Sequence, residues 1–164
     1  AFLETADFEY TIGSVHFADD YNFTKDTQYV DADDETRRAA VERYYDWVVD
    51  AVESELFDVL GHLDLPERQP TLRGYSHPEE YERVAAALAD SRTVPELNAG
   101  RVHRSLGRPH PNPEMLQRFA EHGVEFVLGT DSHRPAELPR RVPELEAAVE
   151  ESALELVELD SLLD

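Results

Sequence analysis

The sequence contains no cysteine and a single lysine, Lys25. Without thiols there is no disulfide framework and no thiolate metal site, so a metal held by this chain has only His, Asp and Glu to hold it. No run approaches the roughly 20 apolar residues of a membrane span, and the opening AFLETADFEY lacks the basic stretch and apolar core of a secretion signal. These absences predict a cytoplasmic chain with no membrane partner. Lysine scarcity leaves 15 basic residues against 36 acidic ones, a formal charge of -21. Such a chain repels polyanions unless bases gather locally. The densest cluster, Arg101 to Arg108, offers Arg101, Arg104 and Arg108, enough for one phosphate but not for a nucleic-acid groove, so nucleic acid is excluded as a partner. Acidic excess with almost no lysine also resembles halophilic proteins of salt-accumulating cells, which makes the acidity environmental rather than catalytic.

What is present fits a packed domain. The chain has 164 residues, 41% of them hydrophobic and 9% aromatic, enough for a core but short for a complete α/β barrel. There is no internal repeat, low-complexity linker or domain boundary. Phe8 to Phe17 (FEYTIGSVHF) is rich in aromatic and β-branched residues and predicts a strand. Ala18 to Asp34 reads as a long polar loop, ending at Asp33 and Asp34, which can cap a helix from Glu35 to about Glu53. In that helix Val41, Tyr44, Tyr45, Val48, Val49 and Val52 recur at three- and four-residue spacing, an apolar face for packing on a sheet. The aromatic group Tyr44, Tyr45 and Trp47 is therefore assigned to packing. Phe57 to Asp64 (FDVLGHLD) predicts a buried strand with a polar C-terminal end.

Further along, Leu65 to Ser76 reads as loop and Pro78 to Leu88 as helix, followed by a strand over Thr93 to Asn98. Asn112 and Pro113 read as an N-cap and first helical residue for a helix ending near Gly123. Val124 to Gly129 (VEFVLG) predicts another strand, a last helix lies within Val142 to Glu151, and Ala153 to Leu159 predicts a closing strand. This alternation favours a parallel sheet with helices outside it, and in such folds functional residues gather at the C-terminal ends of strands. His16, His62, Asp131 and His133 each stand where an apolar run gives way to polar sequence. Imidazole and carboxylate suit Zn, Mn or Fe, and ions so held would bind phosphate oxygens and acidify water.

Four segments, GSVHF (Gly13 to Phe17), FDVLGHLD (Phe57 to Asp64), ELN (Glu96 to Asn98) and GTDSH (Gly129 to His133), resemble in order the later motifs of the PHP (polymerase and histidinol phosphatase) family, nearest to its histidinol phosphatases. The resemblance implies the C-terminal portion of a distorted (β/α)7 barrel, with parallel strands, outer helices and two or three divalent ions at its mouth. It implies that His16 and His62 share one ion, that Asp131 and His133 serve the others and the chemistry, and that Asp64 orients His62. The family opens with a His-x-His motif and adds a further His and a bridging Glu before GSVHF. None of these precedes His16, where 15 residues stand, and Ala1 is not an initiator methionine. Residues 1–164 are thus expected to form a partial PHP metallophosphoesterase domain lacking the N-terminal strands. Glu4 or Glu9 could substitute for the missing Glu, though nothing in their spacing argues for it.

Arg101 or Arg104 follows ELN where histidinol phosphatases place a basic residue for the substrate phosphate, and Arg68, four residues beyond GHLD, is a further candidate. His103 and His110 read either as substrate contacts or as surface residues, and His77 and His122 as surface residues. Two functions from different classes follow. One is a phosphomonoesterase hydrolysing histidinol phosphate by metal-activated hydroxide, in histidine biosynthesis. The other is a non-catalytic PHP remnant or interaction module whose metal site another chain completes. Unpaired sheet edges in a truncated barrel predict a homo-oligomer or a complementing N-terminal chain as partner.

Overall fold

The computed structural model describes residues 5, 8–25, 27–152, 154–158 and 161. Strands β1 (Ile12–Gly13), β2 (Phe17–Ala18) and β3 (Tyr21–Asn22) precede helix α1 (Asp34–Glu53) and strand β4 (Val59–Leu60). A 3-10 turn (Leu65–Arg68), helix α2 (Pro78–Ala89), strand β5 (Val94–Asn98), helix α3 (Pro113–Glu121), strand β6 (Val127–Gly129) and helix α4 (Leu138–Glu151) follow. The main sheet runs β1-β4-β5-β6 with every pair parallel, the α/β arrangement that the strand and helix alternation predicts. Its register pairs Ile12 with Val59, Leu60 with Pro95 and Asn98 with Gly129, which aligns the C-terminal ends of the strands along one rim.

Local chemistry sets the helix starts. The Asp33 carboxylate accepts the Thr36 N–H at 2.8 Å and the Asn112 side chain accepts the Met115 N–H at 3.0 Å, each satisfying a first-turn donor that has no intrahelical partner. Pro78 and Pro113 occupy first-turn positions, where a missing N–H costs nothing. The core forms where α1 (Tyr44, Tyr45, Val48, Val52), α2 (Tyr81, Val84, Leu88) and α3 (Met115, Phe119) meet the sheet residues Leu60 and Leu97. Each such side chain contributes about 1.5–3 kcal/mol by leaving water.

Several boundaries depart from the sequence reading. Phe8 to Phe17 is not one strand: pairing is confined to Ile12–Gly13, and Phe17–Ala18 turns away to form an antiparallel hairpin with Tyr21–Asn22 inside the expected loop. Asp19, at the tip of that hairpin, has φ +52°, a left-handed conformation that Asp tolerates better than most residues. Helix α4 begins at Leu138, four residues before the expected start, and carries Pro143 within it. The closing strand reduces to a parallel bridge between Phe126 and Leu156, while Ala153 and Leu159 lie outside the described residues, as do Glu4 and the other residues before Thr5. No helix among the described residues is long and apolar enough to cross a membrane.

Candidate metal and phosphate site

His16 follows β1 and His62 follows β4, the adjoining strand, so the parallel register brings residues 46 positions apart to one rim. Their Nε2 atoms stand 3.2 Å apart, with ring centroids at 5.0 Å. The His62 Nδ1 is buried and has no hydrogen-bond partner. Burial, then the neighbouring His110 and His16 rings, push the His62 pKa down to about 3, so its imidazole is neutral at physiological pH and offers lone pairs. Partial desolvation and the Arg68 guanidinium lower the pKa of the more exposed His16, against an opposing pull from Asp131. Two neutral imidazoles facing each other through Nε2 can share at most one proton in a hydrogen bond, whereas both can donate lone pairs to one cation.

His62 has φ +36° and Asp131 has φ +49°, so the chain adopts the left-handed region just past the ends of both β4 and β6. Non-glycine residues held there cost on the order of 1–3 kcal/mol and cluster at functional sites. Glu96 on β5 sits between these ends. Its carboxylate accepts the Asn98 side-chain amide at 2.6 Å and the His62 backbone N–H, and burial raises its pKa. Gly61 and Gly129 flank this carboxylate; a Cβ on Gly129 would overlap it outright. Glu96 therefore fixes the strained His62 backbone, a role the sequence reading did not assign. The glycines on both neighbouring strands were the available signal.

Asp131 lies close enough to both His16 and Glu96 to influence their titration. His133 is placed differently. Its side chain is 80% exposed, and its Nδ1 meets the Asp131 carbonyl at 3.0 Å and the Asp131 carboxylate at 3.7 Å. Among the described residues no group of three or more His, Asp or Glu side chains is arranged to hold a metal ion. The structure thus brings together a two-imidazole nucleus with Asp131 nearby, and leaves His133 facing solvent.

Asp64 requires a correction. It does not orient His62: its carboxylate, fully buried, engages His110 Nδ1, the Arg108 guanidinium at 3.2 Å and the Asn112 N–H at 2.8 Å. The reason is local, because β4 ends at Leu60 and the chain turns into the Leu65–Arg68 turn, which breaks the alternation that would have kept residues 62 and 64 on one side. His110 is accordingly no surface residue. It is 1% exposed, paired through its backbone to Asn98 (2.8 and 2.9 Å), and its ring stands edge-on to His62 at 6.3 Å. Arg68, Arg101 and Arg104 line one cleft of about 130 Å³ with Thr24, Ser105 and Leu106. Arg68 acts electrostatically on both His16 and His62, which sets this cationic cleft beside the imidazole pair. His103 binds the Arg140 carbonyl at 2.9 Å, His122 bonds Glu82 at 2.8 Å, and His77 caps α2.

No family model matches the chain. Over 134 residues it is 30% identical to a probable histidinol-phosphatase of Deinococcus radiodurans, an alignment that covers 80% of this chain and 50% of that protein. The chain thus spans about half the length of the curated relative it matches. Its fold is similar to the crystal structure of a histidinol phosphate phosphatase from Lactococcus lactis subsp. lactis complexed with zinc, L-histidinol and phosphate. The TM-score is 0.69 at 22% identity, over 95% of this chain and 61% of that one.

Proposed function

The chain belongs to the histidinol-phosphatase-like family of PHP type, and from that premise we propose that it is part of a metal-dependent phosphomonoesterase that hydrolyses histidinol phosphate to histidinol and phosphate. The observation that carries this reading is the neutral His16–His62 pair, Nε2 to Nε2 at 3.2 Å, set beside a cleft lined by three arginines. The imidazole and carboxylate chemistry of these residues suits a borderline divalent ion such as Zn, Mn or Fe; His16 and His62 would hold one ion, and Asp131 and His133 would serve a second or third. When bound, such ions supply Lewis acidity toward phosphate oxygens and lower the pKa of water.

The remaining work falls to the protein's own side chains. Arg101 or Arg104, with Arg68, seats the phosphate, since guanidinium forks match pairs of phosphate oxygens. Glu96 keeps His62 in place by accepting its backbone N–H, and burial raises the pKa of its own carboxylate above the ordinary value. A phosphate held by arginines next to the imidazole pair is positioned rather than captured by diffusion, and positioning with charge stabilisation is most of what phosphoryl transfer asks of a protein.

A second reading is favoured by one observation. Among the described residues no third donor joins His16 and His62 in a group arranged to hold a metal, so a further chain segment or a second chain would complete the donor set, and the present chain would act as a metal-binding half-site. Metal content and p-nitrophenyl phosphate hydrolysis, measured in high salt with Mn or Zn and compared with His133→Ala, separate the two. Two or more ions per chain with turnover lost in the variant supports the phosphatase reading. At most one weakly held ion and no turnover in either protein supports the half-site.

A further inference from the structure

Most guanidinium groups in this acidic chain are matched by carboxylates. Arg38 meets Glu80, Arg43 meets Asp19 at 2.6 Å, Arg83 meets Asp46 at 2.9 Å and Arg92 meets Asp58 at 2.6 Å. With 36 acidic residues available to 15 basic ones, an unmatched arginine in a cleft departs from the pattern. Among the ion pairs of the described residues, none includes Arg101, Arg104 or Arg140. These three line two adjoining clefts that share Arg104.

The first cleft is the one assigned above to the substrate phosphate. The second, about 270 Å³, is formed by His103, Arg104, Glu137, Arg140 and Arg141. Its one carboxylate is already engaged, because Glu137 accepts the His133 N–H at 2.9 Å and faces Arg141 at 3.4 Å. Arg141 is also committed, donating to the carbonyls of Thr130 at 3.0 Å and Asp131 at 2.6 Å. Arg104 and Arg140 remain as positive charge without a carboxylate, and the bond from His103 to the Arg140 carbonyl ties the loop carrying Arg104 to α4. On a chain with a net charge of -21, two such charges in one cleft favour a small anion there.

We propose that the second cleft is a second oxyanion site, which takes a phosphate-like group beside the first and shares Arg104 with it; the proposal rests on reading the first cleft as the phosphate seat. The oxyanion has two sources, free inorganic phosphate or a second anionic group on one ligand. Arg104 is a positioning element common to both seats, so filling one changes the affinity of the other.

Calorimetric titration of the full chain with inorganic phosphate at fixed ionic strength tests this, with Arg140→Ala and Arg101→Ala alongside. Two phosphates should bind per chain. Arg140→Ala should weaken one site by about tenfold or more and leave the other, while Arg101→Ala should do the reverse, as expected when one charge-assisted contact is removed. An α,ω-alkanediol bisphosphate identifies the source: binding one per chain, tighter than phosphate and weakened by Arg140→Ala, assigns both seats to one ligand, and no gain over phosphate assigns the second seat to the free ion. A single phosphate per chain that Arg140→Ala leaves unchanged overturns the second site while the first reading stands. Absence of any phosphate binding overturns both.

Discussion

Two histidine environments meet at the end of β4, and they differ in what satisfies them. His110 is locked into a closed network: Asp64 holds its Nδ1, and the same carboxylate takes Arg108 and the Asn112 N–H, so every oxygen of a fully buried acid is used. His62, with its ring 6.3 Å from that of His110, faces another neutral imidazole and keeps a buried nitrogen with no partner. The first arrangement stabilises the fold. The second costs stability and offers lone pairs, which is how a ligand site differs from a structural polar core. The contrast also explains why a carboxylate two residues from a candidate ligand serves the scaffold and not that ligand.

The largest test of this division is Asp64→Ala. It strands His110, Arg108 and the Asn112 N–H together, so the free energy of unfolding should fall by about 3–5 kcal/mol, read from urea titration. A loss below about 1 kcal/mol would mean that the network is not the stabilising half of the pair.

Acid titration addresses the other half. His62 is held near pKa 3 in the folded chain against 6.5 for an ordinary histidine. Below about pH 6.5 the unfolded chain therefore takes up a proton that the folded chain refuses until about pH 3, and stability should drop as pH falls through that window. The linked loss is on the order of a few kcal/mol. His62→Gln should flatten the pH dependence of the urea midpoint over this range; an unchanged slope would count against a neutral, buried His62.

Gly129→Ala probes the scaffold that joins the two regions. The added methyl would collide with the Glu96 carboxylate and push it from Asn98 and the His62 N–H, at an expected cost of about 1–3 kcal/mol by thermal unfolding. The smallest stability effect belongs to His16→Ala. His16 is exposed, so unfolding should change by about 0.5 kcal/mol or less, while zinc affinity, measured by competition with a chromophoric chelator, falls at least about tenfold. Unaltered zinc affinity would remove His16 from the site.

Much of the fold was legible because its signals are local. Asp33 and Asn112 cap the helices that they announce, and Pro78 and Pro113 open theirs, since a cap needs only its own four residues. Strand ends were overestimated because an apolar run such as Phe57 to Asp64 shows what can be buried, while pairing depends on how far the neighbouring strand reaches; only Val59–Leu60 qualifies. The Phe17–Asn22 hairpin escaped notice because its strands are two residues long and its turn is acidic. The last helix was placed too late in the chain, since it begins at Leu138 and Pro143 lies in its second turn. In the site, the strand-end rule pointed to His16 and His62, which the parallel register brings together. Glu96 and His110 were invisible to it, since one is mid-strand and the other enters from a loop through a long-range bond to Asn98. The exposed placement of His133 was equally out of reach, because nothing in Asp-Ser-His tells which way a side chain turns after a left-handed residue.

The order β1-β4-β5-β6 means that each strand of the main sheet pairs only with the one that precedes or follows it in that sheet. No strand has to be inserted between two already joined. As the chain leaves the ribosome, the newest strand is always the rim against which the next one docks, and each helix closes over the step just completed. Assembly by successive addition needs no threading and no reopening, so the same sheet can accept a further strand at β1 without disturbing the pairings already made.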